Sequence, residues 1–213
     1  VFEAGVPLKD RHCPIDGKKV KSCIKCKTCA IMNGFGGAGA FSDGKYNITN
    51  DFGGTLYEYI GKDQALELMR YVDDINTSHG GENTRMYSTA GTQFKKVCLQ
   101  NKLKLLDASV RHLGTDINYV VLEQFYEELK DRIDFYFNTA IDSLEHTDGG
   151  YRVHYGGHTA ECKKCIVSVG RSGSKWMEKI CHELDIPTKS NRVDIGVRVE
   201  LPAVIFSHLT DEL

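Results

Sequence analysis

The chain has 213 residues, 41% of them apolar and 26% charged, with a formal net charge of −2. That balance excludes fibrous and disordered classes and argues against nucleic-acid or anionic-membrane binding. With no apolar run near the ~18 residues that span a bilayer and no secretory leader, the expectation is a globular protein with one sizeable core or two small ones.

The opening "VFEAG" reads as the end of a buried strand and a turn, and the closing "VIFSHLTDEL" as a helix cut short, so an internal fragment of a larger protein is expected. Residues 10–30, rich in lysine and cysteine, and 33–54, rich in glycine, read as ordered loop. From Asp63 to His79, Ala65, Leu68, Met69, Val72 and Ile75 form one stripe at helical period, with Asp63 as N-cap and Gly80 as stop. Residues 81–101 suggest a short strand, a glycine turn and a short helix; "LKLLDASVRHL" can alternate as a strand. A helix then follows with Asp116 as cap and Tyr119, Leu122, Phe125, Tyr126 and Leu129 as core stripe. Residues 133–170 are rich in β-formers, and the hairpin signals Gly149-Gly150 and Gly156-Gly157 predict a three-stranded antiparallel meander. It should run into "CIVSVG", an apolar strand covered on both faces. A helix capped by Ser174, with Trp176, Met177, Ile180 and Leu184 inward, and a final strand "VDIGVRVEL" complete the order.

Eight cysteines in a chain of ordinary core content point to a reducing, cytoplasmic setting. Cys13, Cys23, Cys26 and Cys29 form a C-x9-C-x2-C-x2-C set able to hold tetrahedral zinc, and its crowding also resembles iron–sulfur ligation. The plain alternative is small apolar packing within a loop. Cys26 and Cys29 also have the spacing of a redox pair, a role not assigned to them at this level. Lys18, Lys19, Lys21, Lys25 and Lys27 surround the set; their field would favour thiolates and attract anions, or they are simply a solvated face. His154, His158, Cys162 and Cys165 make a weaker array, because hairpin alternation sends such residues to different faces. Gly34, Gly36, Gly37 and Gly39 would let backbone amides approach a pyrophosphate or a flat ring, and no GK[ST] ending follows to make a P-loop. "IVSVGRSG" reads as a strand–glycine–helix turn that could face an anion or be an ordinary connection. Glu3, at the tip of an apolar strand, stands where dinucleotide-binding folds grip a ribose.

Taken in order, "CAIMNGFGGAGAFSDGK" (29–45), "HLGTD" (112–116), "VGRSG" (169–173) and "DIGVRVE" (194–200) resemble segments of a bacterial and archaeal family of FAD-dependent dehydrogenases, flavoproteins of the glutathione-reductase-like, two-dinucleotide-binding type. The resemblance implies that Glu3 binds the adenosine ribose and Arg11 the adenine-ribose or pyrophosphate side. It places Gly36, Gly37, Gly39, Ser42, Asp43 and Lys45 along the flavin, Ile141 at the adenine, and Gly170 with Arg171 over the pyrophosphate or ribityl chain. The family's first strand and G-x-G-x-x-G turn would precede Val1, and its C-terminal portion would follow Leu213.

The expected fold is therefore α/β: a partial Rossmann-like FAD/NAD(P)-binding domain with a β-meander and part of an α+β substrate domain. The FAD-binding parts would be 1–81 and 116–187, and the substrate-domain parts 82–115 and 188–213. The implied activity is hydride transfer through flavin N5 in a parent oxidoreductase, the fragment alone being inactive. FAD would be the cofactor, NAD(P)H a possible electron donor, a small molecule or NAD(P)H the substrate, and zinc or iron–sulfur an optional occupant of the cysteines. No nucleic-acid or membrane partner is implied, and no catalytic residue is named. The rival expectation is a non-catalytic zinc module held by Cys13, Cys23, Cys26 and Cys29.

Overall fold

The computed structural model describes residues 1–190, 193 and 195–211. The chain divides into two compact units, one of residues 1–41 and 122–191, the other of residues 42–121 and 192–213.

The unit that begins at Ser42 is built on a three-stranded antiparallel sheet in the order β1-β3-β2, with β1 at Lys45–Ile48, β2 at Met86–Ser88 and β3 at Ser109–His112. Tyr46 and Met86 both pair with Arg111, on opposite edges of β3. Between the strands lie α1 (Tyr57–Ile60), α2 (Lys62–Asn76) and α3 (Phe94–Gln100); α4 (Gly114–Leu129) follows β3, with Asp116 inside its first turn and not its cap, and with Asn118 and Val121 buried while the expected stripe of Tyr119, Leu122, Phe125, Tyr126 and Leu129 is half-buried. Helix α2 starts and stops close to expectation. Gly61 is its N-cap, Asp63 lies in its first turn, and a wide turn at Thr77–Gly81 carries Gly80 at φ 107°.

The face that α2 buries differs from the expected stripe. Ala65, Asp73 and Asn76 are buried, whereas Leu68 and Val72 are exposed. The reason is Arg111, whose Nε and Nη2 donate to the two carboxylate oxygens of Asp73 at 2.6 and 2.8 Å. Its Nη1 donates to the Thr84 carbonyl at 2.7 Å. A paired, hydrogen-bonded carboxylate can be buried, and with Asp73 held inward Leu68 and Val72 lie exposed while Met69 and Ile75 are half-buried and Ala65 stays buried. A second polar link joins the Tyr46 hydroxyl to Asn118 Oδ1 at 3.1 Å, and burial raises the Tyr46 pKa.

The other unit contains the predicted meander. β4 (Ser143–Thr147), β5 (Gly150–Tyr155) and β6 (His158–Cys162) pair antiparallel in sequence order. Gly156 and Gly157, at φ 52° and 82°, make the tight turn between β5 and β6, a conformation that other residues enter only with strain. Leu144 and Val153 face α5 (Ser174–Glu183), whose Ile180 is 1% exposed. Trp176 and Leu184 pack around them as the helical period predicts, while Gly173, not Ser174, is the N-cap. A second cluster gathers Phe35, Tyr126, Phe135 and Phe137; the last two rings stack at 5.7 Å between centroids.

The expected Rossmann-like fold is not found: both sheets are three-stranded and antiparallel. Among the described residues, parallel pairing is confined to one bridge, Phe2 with Tyr136, where Glu3 N–H donates to the Tyr136 carbonyl at 2.9 Å and Tyr136 N–H to the Val1 carbonyl at 2.8 Å. The "CIVSVG" run is not a strand either. It forms no ladder among the described residues; Cys165 and Val167 pack against the meander core while Ile166 stands almost wholly in solvent. The final predicted strand shows no ladder over 195–201, and its Asp194 lies outside the described residues. After it comes α6 (Ala203–Thr210); the expected helix extended to residues 212 and 213, which also lie outside them. No helix among the described residues is long and apolar enough to cross a membrane.

Candidate functional site

The most closely specified connecting region runs from Cys29 through an irregular turn into a short 3-10 helix at Gly37–Phe41, and two charged side chains organise it. Arg11 is 3% exposed. Its Nε donates to the Ala30 carbonyl at 2.9 Å, Nη1 to Phe35 at 2.6 Å and Nη2 to Ile31 at 2.9 Å. The guanidinium also lies 4.7 Å from the centre of the Phe41 ring. Burial lowers the Arg11 pKa, opposed by the attraction of Glu3 and then of Cys29. Glu3 completes the knot, its Oε1 accepting from the N–H groups of Gly5 and Gly34, both at 2.8 Å. Those two backbones touch: a Cβ on Gly5 would sit 2.4 Å from Gly34 N, and one on Gly34 would meet Arg11 Cδ at 2.6 Å. Only glycine fits at that crossing.

Ser172 joins the second glycine turn to this loop by donating from Oγ to Asn33 Oδ1 at 2.8 Å. Gly170, at φ 60°, and Arg171 precede Ser172 in that turn, and the link shown is to Asn33 and not to Gly36, Gly37 or Gly39. Ile141 is elsewhere, against the Leu144–Val153–Ile180 core. Ser42, Asp43 and Lys45 belong to the other unit. There Lys45 and His112 are direct cross-strand partners on β1 and β3, with the Asp43 carboxylate 4.0 Å from Lys45 Nζ and 3.6 Å from His112 Nε2. Sequence reasoning missed His112, Asn33 and Ser172. The first becomes visible only once the register is known, and the other two only once two distant turns meet.

The arm that precedes the loop has no regular structure. Asp16 Oδ1 accepts from the amides of Lys18, Lys19 and Val20 at 2.8–2.9 Å, and those bonds, led by Val20, hold its pKa below the usual carboxylate value. Lys25 adopts φ 54°, and its N–H donates to Cys23 Sγ at 3.4 Å. Cys13, Cys23 and Cys26 are exposed, Cys29 is half-buried, and all are free thiols. The five lysines of the arm are exposed as well. At its inner end the Cys29 carbonyl accepts from the N–H groups of Met32 and Asn33 and from Asn33 Nδ2.

This geometry overturns the cofactor expectations. Without a parallel sheet there is no crevice at the carboxyl ends of its strands to take FAD or NAD(P)H. Glu3 Oε1 and Arg11 are turned inward onto the backbone, so they order the loop where a ribose or pyrophosphate was expected. Two shallow hollows, of about 450 and 330 Å³, are lined by residues of the β4–β6 sheet and by the Tyr126–Phe137 region, none of them a predicted cofactor contact. The zinc and iron–sulfur expectations fail too, and with them the zinc-module rival. No three Cys, His, Asp or Glu side chains among the described residues converge on a point that could hold an ion, and His154 lies instead 3.1 Å from Glu145. The fold and the residues give no support to a flavin oxidoreductase or to a nicotinamide or small-molecule substrate beside it.

Comparison with protein-family models, with curated proteins and with solved structures gives no match to this chain.

Proposed function

We propose that the cysteine arm is a thiol–disulfide-responsive element acting in the reducing environment of the cytoplasm. The observation that carries this reading is the exposure of two free thiols, Cys23 and Cys26, beside half-buried Cys29 on an arm without helix or strand. Such a backbone can bring Cys26 and Cys29 to the Cα separation of about 4.4–6.8 Å that a disulfide needs. The exposed lysines favour an anionic, low-molecular-weight disulfide of the glutathione class as co-reactant.

The chemistry balances in two exchanges. The Cys26 thiolate attacks the small disulfide, forming a mixed disulfide and releasing one small thiolate. The Cys29 thiolate then attacks Cys26 Sγ and expels the second. The two cysteines are oxidised to a disulfide, one small disulfide is reduced, and the two protons lost by the cysteines are taken up by the two released thiolates, giving two small thiols. The role is stoichiometric, so the chain alone needs no turnover. Closing the pair would pull on the Cys29 carbonyl that anchors Asn33, and through Asn33 on Ser172.

Equilibration of the full chain in glutathione redox buffers, followed by alkylation and peptide mass analysis, tests this. A 26–29 disulfide should accumulate as the buffer becomes oxidising, and Cys29→Ser should trap a mixed disulfide on Cys26. If Cys26 and Cys29 stay reduced wherever half-buried Cys98 does, the reading is wrong.

A further inference from the structure

The largest unpartnered apolar run among the described residues is the extended segment before α6. Ile195, Val197, Val199 and Leu201 alternate with Gly196, Arg198 and Glu200, and the four apolar side chains are 96, 88, 69 and 49% exposed. No backbone hydrogen bond among the described residues involves positions 195–201. Alternation at period two with an empty ladder on both sides is the signature of a strand without its neighbour. Its polar face holds complementary charges, with Arg198 Nη2 2.8 Å from Glu200 Oε1 and both side chains exposed.

We infer that residues 197–201 pair antiparallel with the same residues of a second copy of this chain, about a two-fold axis through Val199. Charge complementarity selects both the occupant and the register. With Val199 opposite Val199, each Arg198 faces Glu200 of the second copy, and each Val197 faces its Leu201. All apolar side chains then share one face and both ion pairs the other. A shift by one residue would set apolar groups against polar ones, and a shift that centres the axis on Arg198 would oppose the two guanidinium groups. Pro202 has no N–H to donate, so the ladder ends where α6 begins. A two-stranded ribbon is marginal alone; Val204, Ile205 and Phe206, next in the chain and exposed, supply apolar surface to cover its face. The contact is isologous and closes at two copies.

Sedimentation of the full chain across a concentration series, with reductant present so that thiol cross-links cannot imitate the contact, tests the inference separately from the thiol chemistry. A monomer–dimer equilibrium is expected. Arg198→Glu and Glu200→Arg should each weaken it by about tenfold or more, since each leaves like charges opposed. The double variant R198E/E200R restores both ion pairs with their signs exchanged and should recover dimerisation to within about twofold. Val199→Lys, on the axis, should give monomer. These side chains are exposed, so circular dichroism should be unchanged in all four variants. A wild-type chain that stays monomeric, a single charge reversal without effect, a double variant that fails to recover, or assemblies larger than two would each overturn the proposal.

Discussion

The two units of this chain are stabilised by different chemistry. In the meander unit, Leu144, Val153 and Ile180 make an apolar core against a three-stranded sheet, and the buried Arg11 guanidinium, with Glu3, holds backbone carbonyls and amides of a loop rather than another side chain. In the unit that begins at Ser42, charged and polar groups sit inside: Asp73 holds Arg111, Tyr46 holds Asn118, and the Thr49 hydroxyl donates to the Asp107 carbonyl at 2.6 Å. An apolar core tolerates the loss of one contact gradually, whereas a buried ion pair fails abruptly, since either partner left alone is an uncompensated charge.

Arg111→Met should show that contrast most strongly. With Asp73 left buried beside an apolar side chain, a loss of about 3–5 kcal/mol is expected, read by denaturant unfolding and by hydrogen exchange concentrated in β1–β3 and α2. The double substitution Asp73→Leu with Arg111→Met should recover a large part of it, because no unpaired charge remains. In the meander unit, Ile180→Ala should cost about 3 kcal/mol through its cavity, with exchange rising in β4, β5 and α5.

Arg11→Met tests whether the Cys29–Phe41 loop depends on the guanidinium. Three carbonyls lose their donor, and about 2 kcal/mol is expected because solvent can reach some of them. The sharper readout is faster exchange at the Met32, Asn33, Phe35 and Gly37 amides. The smallest effect belongs to Asp16. Its pKa is lowered in the folded chain, so the order it gives the turn is present above the ordinary carboxylate value and is lost as pH falls through the depressed one. Amide shifts of Lys18, Lys19 and Val20 should titrate together in that acid window, and Asp16→Asn should remove the step.

The meander, α2, α4 and α5 were legible in the sequence because period and turn residues specify each of them locally. Gly149-Gly150 and Gly156-Gly157 bracket β5 whatever else the chain does. The buried face of α2 was not legible: Leu68 and Val72 outrank Asp73 on any hydrophobic scale, and only a partner at position 111, 38 residues away, reverses that order. Glu3 and Arg11 were singled out as contacts to the dinucleotide. The assumption that special charged residues face a ligand then misdirected them, because a carboxylate and a guanidinium can equally satisfy backbone amides and carbonyls. "CIVSVG" and "VDIGVRVEL" show the same limit from the other side. Strand propensity describes a readiness to pair, and pairing needs a neighbour that the sequence does not name.

By itself the sequence determined the helices at α2, α4 and α5, the hairpin turns of the meander, and the cluster of lysines and thiols on one short arm. These depend on residues within a few positions of one another. Tertiary structure alone decided that β1, β2 and β3 pair antiparallel in the order β1-β3-β2, that Arg11 and Glu3 turn inward, that Asp43, Lys45 and His112 meet across β1 and β3, and that the described cysteines do not converge on a metal. Each of those outcomes depends on groups far apart in the chain satisfying one another's charge and hydrogen bonds, a condition that local pattern leaves open.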